Sequence, residues 1–357
     1  MEFNITEYSE NCNKNCVEDD LQFLYDAKAN GKEIEWHTKK GANVELAKSY
    51  RRLGWKRWFR VMDCANELEF RRYIEDQRLR LHYANFCKDR LCPTCAWRRS
   101  MKIYTQASVV MLEAQKREYE FIFLTLTVRN CQADELKETI THLMKSFDRL
   151  FKRAPVKRAI KGWFRALEVT HNTNKRSKSY NTYHPHFHLI LCVEKDYFKK
   201  SNKDYLTSDN WIAMWRKSLK ADYDPNIDIR KFKTTNDKEM YKSLAEAAKY
   251  TVKDVDYIIK RKVKGSDEYK VNEIETDKAV KTLAEALAYR RLTAYGGVLK
   301  EIHNELNLED AEESGDLIHC DGEDEAAATG LYIIEVYKWH VGYGQYVLSE
   351  VKKEEKK

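Results

Sequence analysis

YHPHFHLIL, residues 183–191, places three of the chain's ten histidines at alternate positions inside a short apolar run. In a β-strand successive side chains point to opposite faces, so His184, His186 and His188 share one face while Phe187, Leu189 and Leu191 share the other. The pattern predicts a metal-binding face backed by a core face. A strand that merely turns polar residues to water would account for one histidine, not for three in register ahead of the apolar LILCV.

The neighbouring segments supply a sheet for this strand. FIFLTLTVRN, residues 121–130, is rich in β-branched and aromatic residues, with Ile122, Leu124, Leu126 and Val128 on one face and Thr125 and Thr127 on the other. WFRALEVT, residues 163–170, reads as a second strand, joined to the histidine strand by the polar HNTNKRSKSYNTY, which predicts an antiparallel pair with a long loop. Between the two lies a helical pattern from Ala133 to Arg153, whose Leu136, Ile140, Leu143, Met144, Phe147, Leu150 and Phe151 form one apolar stripe. Asp237–Lys253 reads as a further helix. Past Glu275 come a helical stretch through Arg291, an acidic run expected to be a solvated loop, and the strand-like LYIIEVYKWHVGYGQYVL. No internal repeat is present.

On WFRALEVT the parity that turns Leu167 and Val169 to one side turns Glu168 to the other, so in an antiparallel pair Glu168 shares a face with His186 and His188. Two imidazoles and a carboxylate leave open positions on a divalent ion that a substrate phosphate can fill, although zinc hydrolases and non-heme iron oxygenases use the same set. The helix that follows is more specific. MYKSLAEAAKYTVKDVDY places Glu246 and Tyr250 four residues apart on one helical face, with Lys253 a turn further on. A tyrosine beside a metal-bound phosphodiester is a candidate nucleophile, but its phenol, with a reference pKa of about 10, needs a neighbouring positive charge to ionise near neutrality. Lys253 can supply that charge or bind the phosphate, and Glu246 can take a proton from water or the phenol. Tyr250 is one of 22 tyrosines, so this pair gains its meaning from the histidine strand. Tyr257, seven residues later, is a second candidate.

Upstream, FCKDRLCPTCAWRR sets Cys87, Cys92 and Cys95 in a C-x4-C-x2-C spacing whose Cys-Pro-Thr-Cys knuckle lets two thiolates reach one ion. Cys64 completes a tetrahedral set for structural Zn2+, with His82 as an alternative fourth ligand and Cys12 with Cys16 as a looser pair. The start MEFNITEYSENCNKNC is unlike a secretory signal, no apolar run is long enough for a membrane span, and 34% of residues are charged. A cytoplasmic location without membrane contact is expected, where thiols stay reduced and clustered cysteines hold metals. The net charge of +7 is unevenly spread. KSYRRLGWKRWFR, residues 48–60, holds six basic and four aromatic residues and no acidic one, and a second basic region runs from Lys145 to Arg165. Cations neutralise phosphates while rings stack on exposed bases. Lys48, Arg51, Arg52, Lys56 and Arg57 are therefore candidate DNA contacts, as is His184.

FLTLTVRN, HPHFHLIL and EAAKYTVK, in that order, resemble the three motifs of plasmid rolling-circle replication initiators of the HUH endonuclease superfamily, in which two histidines flank a bulky apolar residue, here His186, Phe187 and His188. FCKDRLCPTCAWRR and RRLTAYGGVLKEI are similar as well, so the resemblance spans about residues 50–300. It implies an α+β fold with a five-stranded antiparallel sheet flanked by helices. It also implies Mg2+ or Mn2+ on His186, His188 and an acidic ligand carried over to Glu168, and attack by Tyr250 at the plasmid double-strand origin, including its single-stranded or hairpin form. The expected products are a 5′-phosphotyrosyl link and a free 3′ hydroxyl, with Glu246 directing water at the terminating cleavage and a host helicase as partner. A homodimer is compatible with this reading. The expected organisation is an arm (1–35), a basic zinc-knuckle DNA-binding segment (36–115), an HUH endonuclease domain (116–275) and a C-terminal extension of helix and strand (276–357). A transposase or relaxase would share the chemistry, but the former is usually much shorter and the latter carries a third spaced histidine and an N-terminal tyrosine. A non-catalytic zinc-dependent DNA-binding regulator is the alternative from another class.

Overall fold

The computed structural model of the chain describes residues 21–27, 31–232, 244–245, 252–313, 315–320 and 331–353. Glu246, Tyr250, Cys12 and Cys16 lie outside the described residues, as does most of the expected helix Asp237–Lys253. Two compact units are formed, residues 1–98 with 315–357 and residues 99–314.

In the unit of residues 99–314, five strands make one antiparallel sheet in the order β6-β3-β5-β4-β9: β3 is Glu120–Thr127, β4 Gly162–His171, β5 Tyr183–Val193, β6 Ile227–Lys231 and β9 Thr293–Gly297. The central strand is the histidine strand. One sheet face packs on helix Leu136–Phe151, whose Phe147 ring lies 5.5 Å from Phe187 and 4.9 Å from Trp163. The other face is divided along its length. At one end Phe121, Phe123, Phe164, Ile190 and Cys192 join a core with Ile103, Ala107, Val110 and Leu299. At the other end the same face carries Thr125, Thr127, Glu168, His186 and His188. Apolar side chains thus fix the sheet while its last few residues remain available for chemistry.

The chain leaves β9 through Gly296 and Gly297. Gly297 has φ +57°, and a Cβ there would meet the Lys161 carbonyl oxygen at 2.1 Å, so only glycine fits this turn. Glu312, in the stretch expected to be a solvated acidic loop, instead accepts hydrogen bonds from Leu292 N (3.0 Å) and Thr293 Oγ1 (2.7 Å), and Glu309 pairs with Lys102 at 2.8 Å. These backbone and lysine donors explain why the run is ordered here.

The other unit holds a second antiparallel sheet, in the order β11-β10-β1-β2, from β1 (Glu67–Tyr73), β2 (Leu79–Ala84), β10 (Tyr332–His340) and β11 (Gln345–Lys353). The final strand-like run is therefore a hairpin. Within the expected N-terminal arm, Phe23 bridges Val347, with Leu24 N donating to Tyr346 O (2.9 Å), so residues 21–27 are tied to β11 by backbone pairing rather than loosely attached. The segment expected as one extension, 276–357, is divided between the two units because β9 pairs with β4 while β10 pairs with β1.

Candidate metal centres

Antiparallel pairing puts Glu168 directly opposite His186 and Ala166 opposite His188, while on the other side Thr127 faces His186 and Thr125 faces His188. Glu168 Oε2 lies 2.8 Å from His188 Nε2 and 3.3 Å from His186 Nε2. All three side chains are buried, and their ligand atoms lie within 4.8 Å of one another. Octahedral ligands at about 2.0–2.1 Å from Mg2+ sit about 2.9 Å apart along each edge, so this spacing suits a small divalent ion.

The protonation pattern also suits one. His186 Nδ1 lies 3.0 Å from the His184 carbonyl, an acceptor only, so Nδ1 carries a proton and Nε2 is the nitrogen turned to Glu168, a hydrogen-bond donor to the carboxylate without a metal and the ligand atom with one. His188 Nδ1 has Thr125 Oγ1 at 3.3 Å as its partner, and its Nε2 is likewise the nitrogen turned to the carboxylate. Burial opposes ionisation of Glu168, but hydrogen bonds from His186 and His188, with the Lys253 ammonium, outweigh it and hold the carboxyl well below the usual carboxylate range. The carboxylate is thus ready as a ligand. Lys253 Nζ is 3.0 Å from the other oxygen, Glu168 Oε1.

His184 stacks on His186 with ring centroids 5.0 Å apart, and burial followed by repulsion from His186 pushes its pKa down to about 4. It is outside the three-residue ligand set. Lys253 was expected one turn beyond Tyr250 on a helix. Instead it is extended (φ −84°, ψ 151°) ahead of a short 3-10 turn, Asp254–Asp256, because Asp256 Oδ2 accepts its backbone N–H at 3.0 Å. Asp256 Oδ1 accepts the His171 N–H, also at 3.0 Å, so one buried carboxylate fixes the end of β4 to the segment following Tyr250. Tyr257 is 1% exposed, which removes it from reach of a DNA strand.

The second ligand set is Cys64, Cys87, Cys92 and Cys95, all buried. Cys64 follows a short helix, Trp58–Asp63, Cys87 follows β2, and Cys92 and Cys95 flank the start of helix Pro93–Lys116. The sulfurs are 3.5 Å (Cys64 to Cys95), 3.5 Å (Cys64 to Cys92) and 3.7 Å (Cys87 to Cys95) apart. A tetrahedral site with Zn–S bonds of about 2.3 Å has edges of about 3.8 Å, whereas a disulfide would be about 2.05 Å. The donor set therefore fits zinc, and His82 is not part of it. Backbone N–H groups of Cys87, Lys88 and Asp89 donate to Cys64, Cys95 and Cys87 sulfurs at 3.2–3.4 Å. Burial pushes the Cys92 thiol up, while hydrogen bonds from its three neighbours hold Cys95 well below the ordinary range.

Two residues that the sequence did not mark surround this site, both from helix Trp36–Arg52. Lys40 is fully buried and donates from Nζ to Met62 O (2.7 Å) and Cys64 O (2.8 Å); burial pushes its pKa down to about 8 against the pull of nearby thiols. Asn43 Oδ1 lies 3.2 Å from Cys92 Sγ and accepts the Thr94 N–H at 3.2 Å. Of the candidate DNA contacts, Lys48, Arg51, Arg52 and Lys56 are exposed. Arg57 is half-buried, stacked over Tyr50 (4.4 Å) and Trp55 (4.5 Å) and paired with Asp89 at 3.5 Å, which gives it a packing partner on each side.

No described helix is long and apolar enough to cross a membrane. No solved structure matches the chain. A protein of Bacillus amyloliquefaciens called "Protein rep" is 41% identical over 346 residues, covering 93% of this chain and 99% of the relative. Its namesake in Streptococcus pneumoniae serotype 2 (strain D39 / NCTC 7466) is 37% identical over 320 residues, 88% of this chain and 93% of the relative. A "Replication protein" of Staphylococcus aureus is 36% identical over 240 residues, 66% of this chain and 94% of the relative. Residues 78–347 match the family model described as "Replication protein", so the chain belongs to that replication protein family.

Proposed function

We propose that the chain starts rolling-circle replication of a plasmid by nicking one strand of the double-strand origin, as HUH endonucleases do, with Tyr250 as nucleophile. The observation that carries this reading is the contact of Lys253 Nζ with Glu168 Oε1 at 3.0 Å, on the carboxylate whose other oxygen meets both histidines. Tyr250 precedes Lys253 by only three residues of sequence, which supports it as the nucleophile at this face. The five-stranded antiparallel sheet with paired histidines on its central strand supports the same reading.

A divalent ion such as Mg2+ or Mn2+ on Glu168, His186 and His188 would polarise a phosphate oxygen and stabilise the charge that develops there. The remaining work falls to the chain. Tyr250 gives up its phenolic proton, its oxygen attacks phosphorus, the bond to the 3′ oxygen breaks and that oxygen leaves as a 3′ hydroxyl after taking up a proton. The phosphotyrosyl bond keeps the energy of the phosphodiester, so the strand can be rejoined without a nucleotide cofactor. Lys253, held by Glu168 and by the Asp256 hydrogen bond to its backbone, would favour the phenolate electrostatically. Glu246 would direct water at the final cleavage. The free 3′ hydroxyl primes a host polymerase, and a host helicase opens the duplex ahead of it. Structural Zn2+ on the four cysteines would hold the unit of residues 1–98 and 315–357, which carries the exposed cations Lys48, Arg51, Arg52 and Lys56.

The test is an origin oligonucleotide with Mn2+. Tyr250→Phe is expected to abolish the covalent adduct while changing DNA affinity by less than about threefold. Full adduct yield from that variant excludes Tyr250 as the nucleophile.

A further inference from the structure

Hairpin β7–β8 and the β4–β5 loop carry basic charge for which the cleavage chemistry has no use. β7 (Lys260–Lys262) pairs antiparallel with β8 (Tyr269–Val271), Arg261 lying opposite Lys270. Lys260, Lys262, Lys264 and Lys270 are exposed, as are Lys175, Arg176 and Lys178 in the loop. Across residues 174–178 and 260–271 there are eight basic residues against two acidic ones, Asp267 and Glu268. The hairpin and the loop are joined: Arg261 Nη1 donates to Thr173 O at 3.3 Å, Arg261 also pairs with Glu275, and Lys175 reaches that same Glu275 at 3.4 Å. Lys262 pairs with Asp267 at 2.7 Å, an exposed contact that offsets little of the local field.

The place of this surface gives it meaning. The loop connects the strand of Glu168 to the strand of His186 and His188, and the hairpin begins seven residues after Lys253. Its root is held to the end of β4 by His171, whose backbone N–H and ring both bond Asp256.

The chemistry selects the form of DNA. Single-strand surfaces combine cations with rings on which bases stack. Here Tyr269 is the one exposed aromatic residue of the hairpin, 64% exposed, and Tyr180 in the loop is half-buried with its hydroxyl directed at Glu275, 3.5 Å away. Base readout relies mainly on bidentate arginine, but Arg261 is engaged by Glu275 and Thr173 and the other hairpin cations are lysines, which meet phosphate as point charges. We propose that the β7–β8 hairpin and the β4–β5 loop bind the phosphate backbone of duplex DNA beside the metal centre without reading its sequence. The inference rests on the nicking function proposed above and assigns the flanking duplex a seat on the same unit.

The experiment uses the full-length protein with Lys260, Lys262, Lys264 and Lys270 all changed to Gln. Affinity for an origin duplex, an unrelated duplex and a single strand of equal length is measured by fluorescence anisotropy across a salt series without added divalent cation. The reading is then independent of adduct formation, so failure of Tyr250 chemistry and failure of this surface are told apart. Each lost phosphate contact flattens the log-log salt slope by about 0.9, so both duplexes should lose about 2–4 units of slope together, with the single strand changed less than about twofold. An unchanged duplex slope, a loss confined to the origin sequence, or a larger loss on the single strand overturns the proposal. Should the fourfold variant lose its thermal unfolding transition, Arg176→Gln with Lys178→Gln decides by the same criteria, with an expected loss of about one to two units.

Discussion

The two buried ligand sets of this chain differ in what they leave open. The cysteine sulfurs lie at spacings close to tetrahedral edges, three of them receive hydrogen bonds from backbone N–H groups, and a buried lysine bonds the Cys64 carbonyl. Nothing in that geometry reserves a place for substrate. The Glu168–His186–His188 set offers three ligand atoms from two neighbouring strands at the polar end of a sheet face, half of an octahedral shell. Closed sulfur sites stabilise folds, whereas sites with coordination positions to spare do chemistry. On the proposed function the contrast gives stability to one unit and reaction to the other.

The strongest way to break this assignment is to remove a thiol. Cys95→Ser, or chelation of the wild type, is expected to cost about 10 kcal/mol of metal-linked folding energy and to abolish the unfolding transition of the unit of residues 1–98 and 315–357, read by calorimetry with zinc analysis. Retention of both transitions would make the cysteines ordinary core residues. Next in size, His188→Ala should keep both transitions within a few degrees yet lower nicking by about 10²–10³-fold, the several kcal/mol that a polarising ion contributes. A loss of less than threefold, or global unfolding, would erase the distinction between the two sets. The smallest effect sharpens the contrast: Lys40→Met fills the same buried volume without charge and should weaken zinc about 10–100-fold in a chelator competition while leaving Mn2+ affinity at Glu168 unchanged. Equal loss at both metals would mean that Lys40 acts through general stability.

Much of the Glu168–His186–His188 face was legible because its logic is local. A strand alternates with period two, so the side chains of HPHFH and of Glu168 could be assigned to faces from parity alone, and the register that sets Glu168 against His186 agrees with that assignment. The C-x4-C-x2-C spacing was legible for a similar reason. What escaped was long-range or against type. β1 pairs with β10 across more than 250 residues of sequence, and no short pattern announces that partner. Lys40 reads as a surface residue in the sequence because lysine almost never lies fully buried; the Met62 and Cys64 carbonyls and the neighbouring thiols explain its place. Asp256 looked like one more acidic residue after a helix, yet by accepting two backbone N–H groups it makes Lys253 extended and aims it at Glu168. Thr125 as the partner of His188 followed from the same strand parity and was the one second contact that the sequence could have yielded.

The most direct test of the central claim is mass spectrometry of the protein digested after reaction with an origin oligonucleotide and Mn2+. The account predicts a nucleotide remnant joined through phosphate to the peptide that contains Tyr250, and none on the peptide containing the buried Tyr257. A remnant on any other residue, or an unmodified Tyr250 peptide from protein that has nicked its DNA, contradicts it.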